Sequence, residues 1–240
     1  FAEAIFKAEN KFNSATFGAD STFSSAQFIG ATTFRKSTSS QAVDFTDVVF
    51  KTCPEFRFAD FEHECDFAET MFEKGANFRS TSFGTETSFR KAIFRTETTF
   101  KNAVFDGEVR FYKTQFYGEL DFKGAVFAAD SWFGYASFAE DVQFSSPYGD
   151  GNWTLFENKA EFPNVSFKSL ARFKGVKFKN GVDFSEVIFH DEGDFRETIY
   201  EGDSSFRQTV FKGPAKFRDT EFHTKVRFGG AQFRANANFK

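Results

Sequence analysis

Residues 89–122 read FRKAIFRTETTFKNAVFDGEVRFYKTQFYGELDF, with phenylalanines at Phe89, Phe94, Phe100, Phe105, Phe111, Phe116 and Phe122. The gaps alternate between five and six, so the repeating unit is eleven residues. This beat matches neither the 3.6-residue period of a helix nor a plain alternating strand, but it suits short bridged strands separated by turns. Two positions before each Phe stands a small or β-branched residue, such as Ala103 before Phe105 and Val109 before Phe111. Both positions are expected to point inward.

The same beat runs from Phe6 to Phe34, tolerates Ser39 and Tyr200 in Phe positions, and resumes from Phe156 to Phe239. Phe supplies 42 of the 240 residues while the mean hydropathy stays at −0.43. One aromatic type therefore builds the core, where an ordinary globular core mixes Leu, Ile, Val and Phe. A regular internal period marks an architecture that grows along one axis. The expectation is one elongated domain over residues 1–240.

The segments FKNAVF (100–105) and FKGAVF (122–127) resemble the A-x-F-x-x form of the pentapeptide-repeat family. That resemblance implies an all-β fold, a right-handed quadrilateral β-helix with four five-residue faces per coil. The departure is the extra residue in every second face, which makes a coil of about 22 residues. The residue after every fourth Phe is Arg35, Arg57, Arg79, Lys101 and Lys123, then Lys174, Arg196, Arg218 and Lys240. The column half a coil away reads Ser24, Thr46, Ala68, Arg90, Tyr112, Gly134, Pro163, Ser185, Arg207 and Gly229. Because the two columns differ chemically, 22 residues per coil is favoured over 11. Four rings per coil can then stack on those above and below.

One long excursion breaks the beat. The stretch SSPYGDGNWTL between Phe144 and Phe156 is a five-residue face expanded by seven, with turn formers Pro147, Gly149, Asp150 and Gly151. It predicts a protruding loop at 145–155. Aromatic residues outside the Phe positions gather in the same region, and Trp, Tyr and Arg are typical interface anchors. The candidate partner-binding set is Tyr112, Tyr117, Trp132, Tyr135, Tyr148, Asp150, Asn152 and Trp153. In the 22-residue register Tyr112, Trp132 and Tyr135 share one side, and the loop leaves from another.

Catalytic and metal chemistry find little support. His190 and His223 fall on opposite sides of the coil, and His63 lies many coils away. Cys65 takes the small inward position before Phe67, and Cys53 projects near an opposite corner, too far for a disulfide. Glu86, Glu97, Glu108, Glu119, Asp130 and Asp141 recur at one position of successive six-residue gaps. Such a periodic series reads as a solvated edge, whereas an acid/base pair needs a local, differently shaped environment. No phosphate-cradling glycine loop or nucleophile–base motif is present. The reading is a non-enzyme without cofactor, metal or small-molecule substrate.

The net charge of −4 describes a mildly acidic surface and disfavours nucleic acid as a partner. No apolar run approaches the roughly 20 residues of a membrane span, and no signal peptide is visible, which leaves the compartment open and leans toward cytoplasm. Phe1 already lies within the pattern and Lys240 follows Phe239 directly, so the chain is expected to be part of a longer protein, with end-to-end self-association of uncapped coils as one consequence. The leading function is a structural or protein-interaction solenoid that presents the aromatic patch and loop to a protein partner. The resemblance implies an alternative, a DNA mimic that binds gyrase, which the modest acidity and the basic column fit poorly. A further alternative is a polyanion or membrane-surface binder using Arg35, Arg57, Arg79, Lys101, Lys123, Lys174, Arg196 and Arg218.

Overall fold

The computed structural model describes residues 1–19, 21–145 and 153–240. Forty strands of two or three residues, all paired in parallel, make up the regular structure of the described residues. Partners lie 22 residues apart, as in Val104↔Val126 and Phe94↔Phe116. Across the insertion the step becomes 29, as in Val126↔Leu155 and Ser131↔Ala160, so the excursion adds seven residues to one coil.

The pairs form four walls, named here by one core Phe each. The Phe94 wall holds eleven strands, and the Phe105 and Phe111 walls hold ten each. The Phe100 wall has a two-stranded and a seven-stranded part, joined by single bridges Thr33↔Glu55, Glu55↔Asn77 and Asn77↔Thr99. At about 4.8 Å between neighbouring strands, the rod is on the order of 50 Å long.

Turn chemistry explains the square section. Each five-residue gap closes with a bond from the inward residue to the preceding Phe carbonyl, such as Ala92 N to Phe89 O at 3.0 Å and Ala103 N to Phe100 O at 2.9 Å. The residue two past that Phe is left-handed, with φ of 58° at Lys91, 57° at Asn102 and 57° at Lys113. A non-glycine residue there costs about 1–2 kcal/mol. Neighbouring coils hold it in place, since Lys91 N bonds Tyr112 O and Asn102 N bonds Lys123 O, both at 2.9 Å. Buried threonines add a second bond to the same Phe carbonyls, as Thr114 Oγ1 donates to Phe89 O at 2.6 Å. Each bond of this kind contributes on the order of 1 kcal/mol.

The Phe side chains fill the interior as four stacked columns. In the Phe100 column, Phe78, Phe100 and Phe122 stack 4.8 and 5.1 Å apart with nearly parallel planes. The Phe100 and Phe111 columns also meet edge to face across the axis, at 5.7 Å and 84° for Phe100 with Phe111. Both geometries suit the aromatic quadrupole. Ser39 is buried in a Phe position, where its hydroxyl bonds Phe17 O and Gln41 O. Beyond it, Phe61 and Phe83 open to 6.0 Å. Tyr200 is fully buried in the same column, stacked between Phe178 and Phe222.

The loop expected at 145–155 is narrower than that. Ser145 and Trp153 form an antiparallel bridge, and Leu155 is already back in a strand. The bridge ties the neck of the insertion, leaving residues 146–152 between its ends. Tyr148, Asp150 and Asn152 lie outside the described residues.

Candidate functional site

The Phe111 wall carries the aromatic cluster at its corner with the next wall. Trp132 sits in register between Arg110 and Glu161, so its outward position follows directly from the 22-residue step. Tyr112 and Tyr135 flank the turns after Phe111 and Phe133 and meet edge to face at 5.7 Å. Gly134 separates Tyr112 from Pro163 in the same column, and the absent side chain leaves both rings accessible. Trp132 is 37% and Tyr135 53% exposed, a large apolar outlay for a wall otherwise polar outside.

Charges frame this corner. Arg110 reaches two carboxylates stacked one coil apart, Glu86 through one terminal nitrogen and Glu108 through the other at 2.9 Å. Held in this fork, the guanidinium forms one side of a groove of about 390 Å3 lined by Arg90, Glu108, Arg110, Tyr112 and Trp132. Lys113 extends over the Tyr112 ring at 5.2 Å. A flat indole beside a fixed guanidinium and an exposed phenol is the composition of an interface anchor.

The two other described candidates do not join the cluster. Tyr117 lies one wall further round, with Arg95 5.0 Å over its ring and its hydroxyl bonded to Gln115 at 2.7 Å. Trp153 lies against Gly175, in the turn after Phe173, at the diagonally opposite corner. The five described residues of the set therefore divide into a three-residue patch and two separate aromatics, Tyr117 and Trp153.

The basic column of the Phe100 wall is aligned, since the carbonyls of Arg35, Arg57, Arg79, Lys101 and Lys123 each accept an amide from the previous coil. Much of its charge is spent internally. Arg57 pairs with Glu55 at 2.9 Å, Lys123 with Asp121 at 3.2 Å, Lys174 with Glu197 at 3.2 Å, and Arg218 with Asp219 at 3.1 Å. Arg196 grips the buried Asp194 through two bonds of 2.8 Å. Burial alone would raise the Asp194 pKa, but the Arg196 bonds and charge, helped by Lys216, hold it below the usual value.

Four members of the carboxylate series are absorbed into structure in the same way. Glu86 and Glu108 share Arg110, Asp130 accepts the Lys159 amide at 3.1 Å, and Asp141 accepts the Ser169 hydroxyl and the Leu170 amide. A separate acidic hollow of about 350 Å3 is lined by Asp60, Glu62, Ser82, Gly84, Thr85, Asp106 and Gly107, with no basic side chain in its lining. Among the described residues no group of three or more His, Cys, Asp or Glu side chains is arranged to hold a metal ion. Cys65 is buried in the core beside Phe67. Cys53 stands on the opposite wall, partly open to solvent, yet desolvation and then Glu55 and Glu97 push its thiol up to about 11. A thiol so raised is a poor nucleophile near neutral pH.

One feature escaped the sequence reading. Counting every fourth Phe from Phe167 yields Lys168, His190, Lys212 and Arg234, a second cationic file on the Phe94 wall.

A family model described as pentapeptide repeats, with nine copies, matches residues 67–126, 154–199 and 201–240, more than half of the chain. A search of curated proteins finds no match.

Proposed function

Because this chain belongs to the pentapeptide-repeat family, whose solenoids are generally non-enzymatic and structural or protein-interacting, we propose that it is a non-catalytic rod that docks a protein partner on the Tyr112–Trp132–Tyr135 corner. The observation that carries this reading is Trp132, exposed on a rigid wall beside an Arg110 already clamped by Glu86 and Glu108. Fixed side chains lose little entropy when a partner arrives, so the contact area is converted efficiently into affinity. The Trp153 loop, at the opposite corner, is a separate surface in this reading.

The test compares affinity capture by the wild type with capture by Tyr112→Ala/Trp132→Ala/Tyr135→Ala, followed by titration of whichever purified partner is recovered. Loss of a central aromatic anchor should cost about 2 kcal/mol or more, a weakening of at least about 30-fold. A partner that binds the triple variant as tightly as the wild type refutes this corner as the docking site. Deleting residues 146–152 should leave that binding intact.

A further inference from the structure

Lys168, His190, Lys212 and Arg234 each follow a core Phe of the Phe94 wall, and all four are exposed. Their amides make the same bond, to the carbonyls of Phe138, Phe167, Phe189 and Phe211 respectively, each at 2.8 Å. The rings beneath repeat at 5.0, 4.9 and 4.9 Å. The four side chains therefore leave the wall in single file, one coil apart.

In the Phe100 column Arg57, Lys123, Lys174, Arg196 and Arg218 are paired with carboxylates, whereas this file is not neutralised at any position among the described residues. None of the four makes an ion pair within 4.0 Å among the described residues. Lys212 Nζ instead lies 3.4 Å from His190 Nδ1, and Arg234 donates to the Gln232 amide oxygen at 3.0 Å. Asp191, the next residue after His190, turns its carboxylate to the Glu192 amide at 2.8 Å. Glu186 lines a hollow on the Phe111 wall with Arg207 and Arg227. Desolvation, then Lys212 and Lys168, lowers the His190 pKa, as expected where cations crowd without a counter-charge.

We propose that this file is a binding track for an acidic polysaccharide that carries a carboxylate or sulfate on each sugar ring. Lys168 stands two coils from Lys212, with the neutral His190 between them as a hydrogen-bonding group, and Lys212 stands one coil from Arg234. The cations thus fall at whole-coil steps that suit a chain with one charge per ring, since a pyranose in an extended chain spans close to one coil step. Ile188 and Val210, half-buried and in register beside the file, offer an apolar strip to the C–H face of the rings. A single-stranded nucleic acid would call for outward aromatics on which bases stack, but the neighbouring outward positions are Ser166, Ile188, Val210 and Gln232. A polyphosphate carries charge more densely than the track presents it. The chain's net charge of −4 opposes diffuse polyanion attraction, so binding depends on this local file.

The test is calorimetric titration with polygalacturonate at low salt. Wild type and an Arg79→Gln/Lys101→Gln variant of the Phe100 column should bind alike. Lys168→Gln/Lys212→Gln/Arg234→Gln should bind at least about tenfold more weakly, and the charge-conserving Lys168→Arg/Lys212→Arg/Arg234→Lys should retain binding. Wild-type affinity should fall several-fold as salt rises from about 50 to about 200 mM. Absence of binding to polygalacturonate, equal losses in the two glutamine variants, or tighter binding to inorganic polyphosphate, oligo-dT or phosphatidylserine vesicles would overturn the proposal.

Discussion

Replacing Tyr200 by Phe should stabilise this protein. The ring is fully buried between Phe178 at 5.3 Å and Phe222 at 4.8 Å, and its hydroxyl has no hydrogen-bond partner among the described residues. A buried polar group left unpaired costs about 1–3 kcal/mol, and Tyr200→Phe removes that cost while keeping the stack. For a chain of this size, a gain of about 1–2 kcal/mol corresponds to a rise of roughly 2–8 °C in Tm. Solenoids are stabilised largely by contacts between adjacent repeats, so the local readout is amide exchange at Glu201 and His223, whose amides bond Phe178 O and Tyr200 O at 2.9 Å. Where exchange follows local opening, their rates should fall about 5–30-fold.

The same substitution has an alkaline signature. Burial raises the Tyr200 pKa well above its ordinary value, so the neutral phenol is favoured in the fold. That contribution is fully present below the unfolded pKa of about 10 and is lost as pH rises through the folded value. Tyr200→Phe should therefore shift alkaline unfolding to higher pH. If the variant were no more stable than the wild type by melting and exchange, the hydroxyl would have to be satisfied, and the reasoning fails.

Three further substitutions probe the corners and the buried ion pair. Gly75→Ala should cost about 3 kcal/mol or more in denaturant melts, because φ is 67° and an added Cβ would meet the Glu97 carbonyl, whereas Lys91→Gly should be nearly neutral, strain relief offsetting added chain entropy. Asp194→Asn should cost about 1.5–3 kcal/mol at neutral pH through the lost charge-assisted bonds to Arg196. Since the Asp194 pKa is lowered by folding, its contribution is present above the unfolded value of about 3.9 and is lost as pH falls through the folded value. An acid-unfolding curve identical in wild type and Asp194→Asn would contradict this assignment.

The spacing of Phe89, Phe94, Phe100 and Phe105 was sufficient to read the eleven-residue unit, the inward places of Ala103 and Val109 and the seven-residue excess before Phe156, while the four walls were implied by the family resemblance and the 22-residue coil by the chemical difference between the columns after Phe100 and Phe111. The reason is that a parallel solenoid repeats one constraint: a side chain a whole coil away must occupy the same place, so registry is written as linear period. The same rule placed Tyr112, Trp132 and Tyr135 on one side before their contacts were known. Charge compensation is not periodic in that way. Arg110 joins Glu86 and Glu108, Arg196 turns to Asp194, and Lys168, Lys212 and Arg234 find no carboxylate among the described residues, although all stand in equivalent-looking columns. Those outcomes depend on rotamers and reach between coils, over distances of 3–4 Å that residue spacing does not encode. The chain thus determined which side chains share a wall, and the tertiary structure decided which of them remain free to meet something else.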